Sequence, residues 1–320
     1  MPGKPARAVG IILIFCWWIA LLLAVGEAAA RKFDAVLARE HSQPFNLGEP
    51  EWAARAYRPS PALGWEHVPN SAGFNSHGFL GPDYPLKKSP GTFRVLLLGD
   101  SLAAAYGPYL QRELEDKPVA EGAMELWNLG VGGYNLAQYA LTLKHKGPAL
   151  DPDRVLLFIC LNDLPADIPV IYKDGDSFLA LRQSMPEPES LPLGGLLWER
   201  SALYRALMID RLMAREPAAP DLGKAALARL LEIKDYCAER GIPLTAFVFP
   251  YLKPLSGYKG NELQDYRTIL EQLRLSGIPH FDLHGRLDDG TLRLRNHPSD
   301  QLHFSAEGRA RAMRAVRELL

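Results

Sequence analysis

Apolar residues fall along this chain in two distinct patterns. The first is an almost unbroken apolar stretch over residues 9–26, containing I-I-L-I-F-C-W-W-I-A-L-L-L, with Lys4 and Arg7 before it and no charge within it. Such a run is just long enough to cross a bilayer. Ala28 to Ala30 supply an A-x-A-like cleavage site before Arg31, as a secretory signal would, whereas the length and the pair Trp17 and Trp18 favour an uncleaved anchor. On either reading the basic N-terminus stays inside and the rest of the chain is exported, so the domain is expected outside the cytoplasm, membrane-anchored or secreted after cleavage.

The second pattern is a set of short apolar runs without alternation: 95–98, 124–129, 154–160, 243–249 and 278–283. Runs of this kind fit strands covered on both faces. Between them lie helical stretches at 109–116, with Pro108 at the first helical position, and at 136–146, with Asn135 and Gln138 as a capping pair. Two more follow at 222–240, closed by Gly241, and at 261–276, and Ser305 can cap a final helix. Five strands alternating with helices predict an α/β domain: a parallel sheet with right-handed crossovers and helices on both faces.

Two segments break this alternation. Residues 31–90 are rich in Pro, Gly, Asn and lone aromatics and predict a spacer followed by an irregular segment, pinned to the domain by Trp52, Tyr57, Trp65 and Phe74. Residues 164–221 read as an insertion with Pro186, Pro188 and Pro192, then an amphipathic helix over about 196–215 carrying Trp198, Leu203, Leu207 and Leu212 near one face. It is a wall or lid over a site, or a solvent-side decoration. The expected organisation is therefore 1–30 anchor or signal, 31–90 spacer and draped segment, and 91–320 catalytic-sized domain with the insertion at about 164–221.

At 320 residues and 48% hydrophobic content the chain can bury a sizeable core, and its net charge of −1 gives no reason to expect nucleic acid as a partner. Arg309, Arg311, Arg314 and Arg317 read as a solvated helix face. Cys16, Cys160 and Cys237 are too scattered for a disulfide framework or a metal motif. His297 and His303 lack a third ligand, and neither a G-x-G-x-x-G fingerprint nor a P-loop lysine is present, so no metal or cofactor is expected.

Candidate chemistry sits at the ends of the predicted strands. The first run ends abruptly in Gly99-Asp100-Ser101, which places a serine at the sheet edge where ligands bind in open α/β folds, although all three are also common turn residues. The second ends in Gly130-Val131-Gly132-Gly133-Tyr134-Asn135, where backbone can approach a ligand closely or simply turn. The third ends in Asn162-Asp163, a possible substrate edge or the start of a turn. In the last loop Asp300 and His303 can act as orienting carboxylate and base, or His303 is an ordinary surface histidine. The loop 75–79, with His77, is either anchored by Phe79 or near the site, and His77 takes no role here.

Together these stretches resemble the four blocks of the SGNH, or GDSL, hydrolase superfamily: Gly99-Asp100-Ser101-Leu102, Gly133 in its Gly-Tyr-Asn turn, Asn162 before Asp163, and Asp300-x-x-His303. The likeness runs from about residue 92 to the C-terminus and suggests a membrane-anchored, bacterial-type member. It implies a flavodoxin-like three-layer α/β/α sandwich, with Ser101 as nucleophile, His303 as general base and Asp300 as its orienter. The Ser101 and Gly133 N–H groups and the Asn162 side chain would line the oxyanion hole. Cys160 departs from the pattern, standing where many members have glycine, and the G-x-S-x-G elbow of α/β-hydrolases is absent because Ala103 follows Leu102. The implied reaction is acyl transfer through an acyl-enzyme, removing O-acyl groups such as acetyl from cell-envelope or exported polysaccharide. Two alternatives stay open: an O-acetyltransferase using the same residues, and a non-catalytic SGNH-like protein that binds glycan.

Overall fold

The N-terminal apolar run forms a helix, and the helix does not stop where the run stops: α1 (Lys4–His41) continues through the stretch expected to be a spacer. Residues 31–41 contain no Gly or Pro and several strong helix formers, so nothing in the local sequence ends the helix at Arg31. The structure is a computed structural model that describes residues 4–44, 50–164, 168–174, 177–185, 194–197, 200–213, 221–287 and 292–320. It divides into two compact units, Met1–Asn46 with Pro169–Ala218, and Leu47–Ile168 with Ala219–Leu320.

In the first unit α1 is followed by β1 (Ser42–Pro44), whose Ser42 to Pro44 pair antiparallel with Leu181 to Leu179 of β8 (Ser177–Met185), and β8 in turn neighbours β7 (Ile168–Asp174). The segment read as an insertion thus folds with the N-terminal helix. Its helical part is two helices rather than one, α5 (Gly194–Leu197) and α6 (Ala202–Met213), while Trp198 and residues 186–193 and 214–220 lie outside the described residues. The break falls at Ser201: the Arg200 and Ser201 N–H groups close on the Leu197 carbonyl, and the Ser201 hydroxyl accepts from the Tyr204 N–H at 3.1 Å as an N-cap. A second cap comes from α1. The Glu27 carboxylate accepts from the Ser201 hydroxyl at 2.8 Å, from Ala202 N–H at 2.9 Å and from Leu203 N–H at 3.1 Å, so a negative charge stands at the N-terminus of α6. Gly26 allows this approach, since a Cβ there would lie 3.1 Å from Leu203 Cδ2. Within α1, Gly10–Lys32 is long and apolar enough to cross a membrane, the one such helix among the described residues.

The second unit begins with α2 (Pro50–Ala56) and the hairpin β2 (Tyr57–Ser60) and β3 (Gly64–His67). The five apolar runs then become β4 (Thr92–Leu98), β5 (Ala123–Asn128), β6 (Arg154–Ile159), β9 (Leu244–Val248) and β10 (His280–Asp282). All pairings among them are parallel, in the order β5-β4-β6-β9-β10. Taken in order of appearance that is 2-1-3-4-5, the flavodoxin-like arrangement. Helices α3 (Ser101–Asp116) and α10 (Ala306–Glu318) pack together over a core that includes Val95, Leu97, Tyr106, Phe158, Phe249 and Met313, with the short α9 (His284–Leu287) beside α10. The other layer is α4 (Leu136–Leu150), α7 (Leu222–Glu239) and α8 (Glu262–Ser276), packed against one another. Val95 and Leu97 face the first core, and their neighbours Leu96 and Leu98 are equally buried, which is why the run shows no alternation.

One expected boundary is displaced. Pro108 does not start a helix at residue 109; α3 starts at Ser101 and carries Pro108 inside it. A proline there removes the hydrogen bond that the Ala104 carbonyl would otherwise accept. The Asn128 side chain takes its place, donating from Nδ2 to Ala104 O at 3.1 Å while its Oδ1 accepts from Gly130 N–H at 3.1 Å. Gly107 makes room, because a Cβ at that position would sit 2.1 Å from Asn128 Nδ2.

Two predictions follow from these contacts. Gly107→Ala should destabilise the protein by about 1–3 kcal/mol in urea unfolding, by forcing Asn128 off its two partners. In the full-length protein Glu27→Ala should fray α6, so that limited proteolysis cuts within residues 199–213 faster than in wild type. Equal cleavage rates would show that the α1 cap does not hold α6.

Candidate active site

At the end of β4 the chain has to turn into α3 without a connecting loop, and Gly99 permits it. A Cβ on Gly99 would lie 2.6 Å from the Ala103 Cβ and 3.0 Å from the Phe158 carbonyl, so only glycine lets helix and sheet come this close. Asp100 then caps the helix, its Oδ1 accepting from Leu102 N–H at 2.8 Å. Ser101 is the first helical residue, half-exposed, with its N–H free of protein partners among the described residues. Its Oγ lies 3.1 Å from His303 Nε2.

His303 is held from several sides. Asp300 Oδ1 accepts from the Leu302 and His303 N–H groups at 3.0 and 2.9 Å, and its Oδ2 lies 3.0 Å from His303 Nδ1. The next residue, Phe304, is buried and its N–H donates to the Tyr106 hydroxyl of α3 at 3.1 Å. From the other flank Leu252 N–H donates to the Gln301 carbonyl at 2.8 Å. With Nδ1 facing a carboxylate, the proton belongs on Nδ1 and Nε2 is the acceptor for the Ser101 hydroxyl. Burial raises the Asp300 carboxyl, but the His303 and Leu302 N–H groups and the imidazole outweigh it and hold the group below its ordinary value.

The glycine-rich turn after β5 lies on the first turn of α3. Val131 N–H donates to the Gly99 carbonyl at 3.2 Å, and a Cβ on Gly130 would approach Ala104 N to 2.4 Å. Gly133 is exposed, has φ 77°, and its N–H has no partner among the described residues. Asn135 caps α4 and exchanges bonds with Gln138, the expected capping box. Asn162 sits in the single 3₁₀ turn Leu161–Asp163 after β6, exposed, with Nδ2 donating to Asp100 Oδ2 at 3.0 Å. That bond settles the orientation of the amide, because a carboxylate only accepts: Nδ2 must face Asp100, leaving its second proton without a partner among the described residues.

Of the pair Asn162-Asp163, the sequence placed both at the sheet edge, and the structure separates them. Asp163 is buried, with Oδ2 accepting from Cys160 N–H at 2.8 Å and Oδ1 unpartnered among the described residues. Burial pushes the Asp163 carboxyl well above its ordinary value, and the nearby Asp100 charge pushes it further. Asp100 is also raised by burial, but the Leu102 N–H and the Asn162 amide donate to its two oxygens, so the ionised member of this coupled pair is Asp100. Cys160 is buried, and burial pushes its thiol up, which removes it as a nucleophile. His77 lies away from this group, its Nε2 3.2 Å from the Tyr84 carbonyl and its ring beside Trp127. His297 Nδ1 is 2.7 Å from the Ser299 hydroxyl. Among the described residues no group of three or more His, Cys, Asp or Glu is arranged to hold a metal ion.

A raised carboxyl stabilises the fold while protonated, so the contribution of neutral Asp163 is present at low pH and is lost as pH rises through its folded value, which lies well above 3.8. Asp163→Asn keeps an acceptor for Cys160 N–H and carries no charge. Its unfolding free energy should therefore fall less than that of wild type as pH rises above 3.8, whereas Asp163→Ala should cost about 1–3 kcal/mol throughout. Parallel pH curves for wild type and Asp163→Asn in urea titrations would refute the neutral-carboxyl assignment.

Residues 97–311 match the family model described as the GDSL-like lipase/acylhydrolase family. Among solved structures the chain is similar to LAE5, an α/β hydrolase enzyme from the metagenome of Lake Arreo, Spain, with TM-score 0.44 and 15% identity over 70% of this chain and 93% of that one. It is likewise similar to the acetyl xylan esterase AlAXEase (0.44, 14%, 71% and 100%). A catalytic mutant of an acetylxylan esterase from Geobacillus stearothermophilus gives comparable values (0.44, 13%, 71% and 93%). No curated protein matches the chain. The family match covers the end of β4, helix α3, the glycine turn, Asn162 and the Asp300–His303 loop, and the chain belongs to the GDSL-like lipase/acylhydrolase family.

Proposed function

We propose that this protein is a serine esterase that works through an acyl-enzyme, with Ser101 as nucleophile, His303 as general base and Asp300 as the residue that orients the imidazole. The observation that carries this reading is the line Ser101 Oγ, His303 Nε2, His303 Nδ1, Asp300 Oδ2, with steps of 3.1 and 3.0 Å. As Oγ bonds to an ester carbonyl carbon, its proton passes to Nε2, and the carbonyl oxygen takes up the negative charge. Three donors face no acceptor among the described residues that would compete for that charge: the N–H groups of Ser101 and Gly133 and the second Nδ2 proton of Asn162. The imidazolium then protonates the departing alcohol. Water repeats the sequence in reverse, giving its proton to His303 and its oxygen to the acyl carbon, and Ser101 is released.

Asp300 remains ionised throughout. Its folded value is depressed, so the stabilisation it gives is complete above 3.8 and is lost only as pH falls through the lower folded value. The substrate class we propose is O-acyl, notably acetyl, groups on cell-envelope or exported polysaccharide, cleaved by a domain held outside the cytoplasm by α1. The apolar span Gly10–Lys32 with Lys4 and Arg7 ahead of it supports that placement. Half-exposed Ser101 and His303 and exposed Asn162 and Gly133 favour an ester borne on a bulky alcohol over one enclosed in a deep tunnel.

The test is covalent labelling of Ser101 with a fluorophosphonate, together with turnover of acetylated glycans and short and long p-nitrophenyl esters. Ser101→Ala should abolish labelling and cleavage while leaving the unfolding midpoint unchanged, and His303→Ala should lower kcat by about 10²–10⁴. If either variant keeps more than about a tenth of wild-type turnover, the triad assignment is wrong. Release of acetate to water, rather than to a second glycan hydroxyl, separates hydrolysis from O-acetyltransfer.

A further inference from the structure

The oxyanion donor hardest to hold in place is the Gly133 N–H. It belongs to a peptide flanked by two glycines, and with Gly133 at φ 77° no side chain resists rotation of that plane. A half-turn of the peptide would replace a donor with the Gly132 carbonyl, an acceptor facing a developing anion. Something must choose between the two orientations.

The structure supplies one contact that does so. The indole Nε1 of Trp65, on β3, donates to the Gly132 carbonyl at 3.1 Å. Every peptide bond described is trans, so the Gly132 C=O and the Gly133 N–H lie in one plane and point in opposite directions. Gripping the carbonyl from the hairpin side therefore sends the N–H away from the hairpin, into the exposed position where it finds no partner among the described residues. Trp65 can hold only this orientation, since an indole N–H donates and never accepts. The clamp is itself rigid. Trp65 is 1% exposed, its ring meets Tyr134 edge-on at 5.3 Å, and the Tyr134 hydroxyl donates back to the Trp65 carbonyl. On the neighbouring strand β2, the Tyr57 hydroxyl would lie 3.1 Å from a Cβ built on Gly132, so the hairpin fits closely around this one peptide.

We infer that Trp65, which lies ahead of the matched family region, is a positioning residue for the reaction: by holding the Gly132 carbonyl it aims the Gly133 N–H at the oxyanion. The inference rests on the serine esterase reading. It gives the segment 57–67 a function in turnover, beyond covering the sheet edge.

Trp65→Phe removes the donor and keeps an aromatic ring in the pocket. Against the ester that the wild type turns over best, this variant should lose about 10–100-fold in kcat with KM changed by less than about twofold, because the lost contact acts on the transition state. In ¹⁵N-labelled protein the Gly133 amide resonance should shift or broaden in the variant, while amides of β4 and α3 stay in place. Trp65→Leu serves as the packing control: it should lower the unfolding midpoint more than Trp65→Phe does, yet lose a similar factor in kcat. Unchanged kcat in Trp65→Phe, or an unmoved Gly133 amide, overturns the inference. So does a parallel change in KM, which would mark a general loosening of the site. Wild-type protein that neither labels with fluorophosphonate nor cleaves any ester sinks the esterase reading and this inference with it. Wild type that labels normally beside a fully active Trp65→Phe sinks the inference alone.

Discussion

A carboxylate 1% exposed to solvent is tolerated at Asp100 because donors converge on it: the Leu102 N–H on one oxygen and the Asn162 amide on the other. This single charged group ties together the start of α3, the residue beside Ser101 and the amide that would face an oxyanion. It also sets the state of its neighbour, since two buried carboxyls cannot both ionise cheaply, and the one with fewer donors, Asp163, keeps its proton. The Ser101 proton has two places to rest, 3.1 Å away on His303 and 3.4 Å away on Asp100. The shorter contact to a neutral acceptor leaves the hydroxyl directed at the imidazole.

Around that group the site is assembled from close approaches that only glycine permits. Gly99 meets the Phe158 carbonyl and Ala103, Gly130 meets Ala104, and Gly107 admits the Asn128 side chain to a carbonyl that Pro108 has left without its helical donor. Each approach is shorter than a Cβ would allow. The Ser101 and Gly133 N–H groups belong to the backbone itself, and Asn162 is the one side chain among the proposed donors, held by Asp100.

Much of this was legible in the sequence, and the reasons for the exceptions are physical. The five non-alternating runs identified the strands because residues such as Val95 to Leu98 are buried from both sides, a state that leaves a pattern. Ser101, Asn162, Asp300 and His303 stood out because each ends a strand or opens a helix in the order of a known set of motifs. The start of α3 was misplaced, since the usual position of proline at a helix beginning gives no hint that Asn128, twenty residues on, satisfies the orphaned carbonyl of Ala104. The extension of α1 to His41 was missed because aromatic and polar composition masked a stretch free of helix breakers. Asp163 looked like its neighbour Asn162, and only the fold shows one buried and the other exposed. Trp65 read as a packing residue, because a donor that acts through a distant peptide has no local signature.

The pairing of α1 with the inserted segment also sets an order of events during synthesis. Glu27 must wait for the backbone that it caps, which begins at Ala202, 175 residues later in the chain. At translation rates of about 5–20 residues per second, that interval is roughly 10 to 35 seconds. For most of it, until Leu179 to Leu181 of β8 have been made, β1 has no strand to pair with. A nascent chain stalled before β8 would therefore carry an unpaired strand edge next to its most apolar helix, the stage at which a chaperone or the export machinery has most to protect.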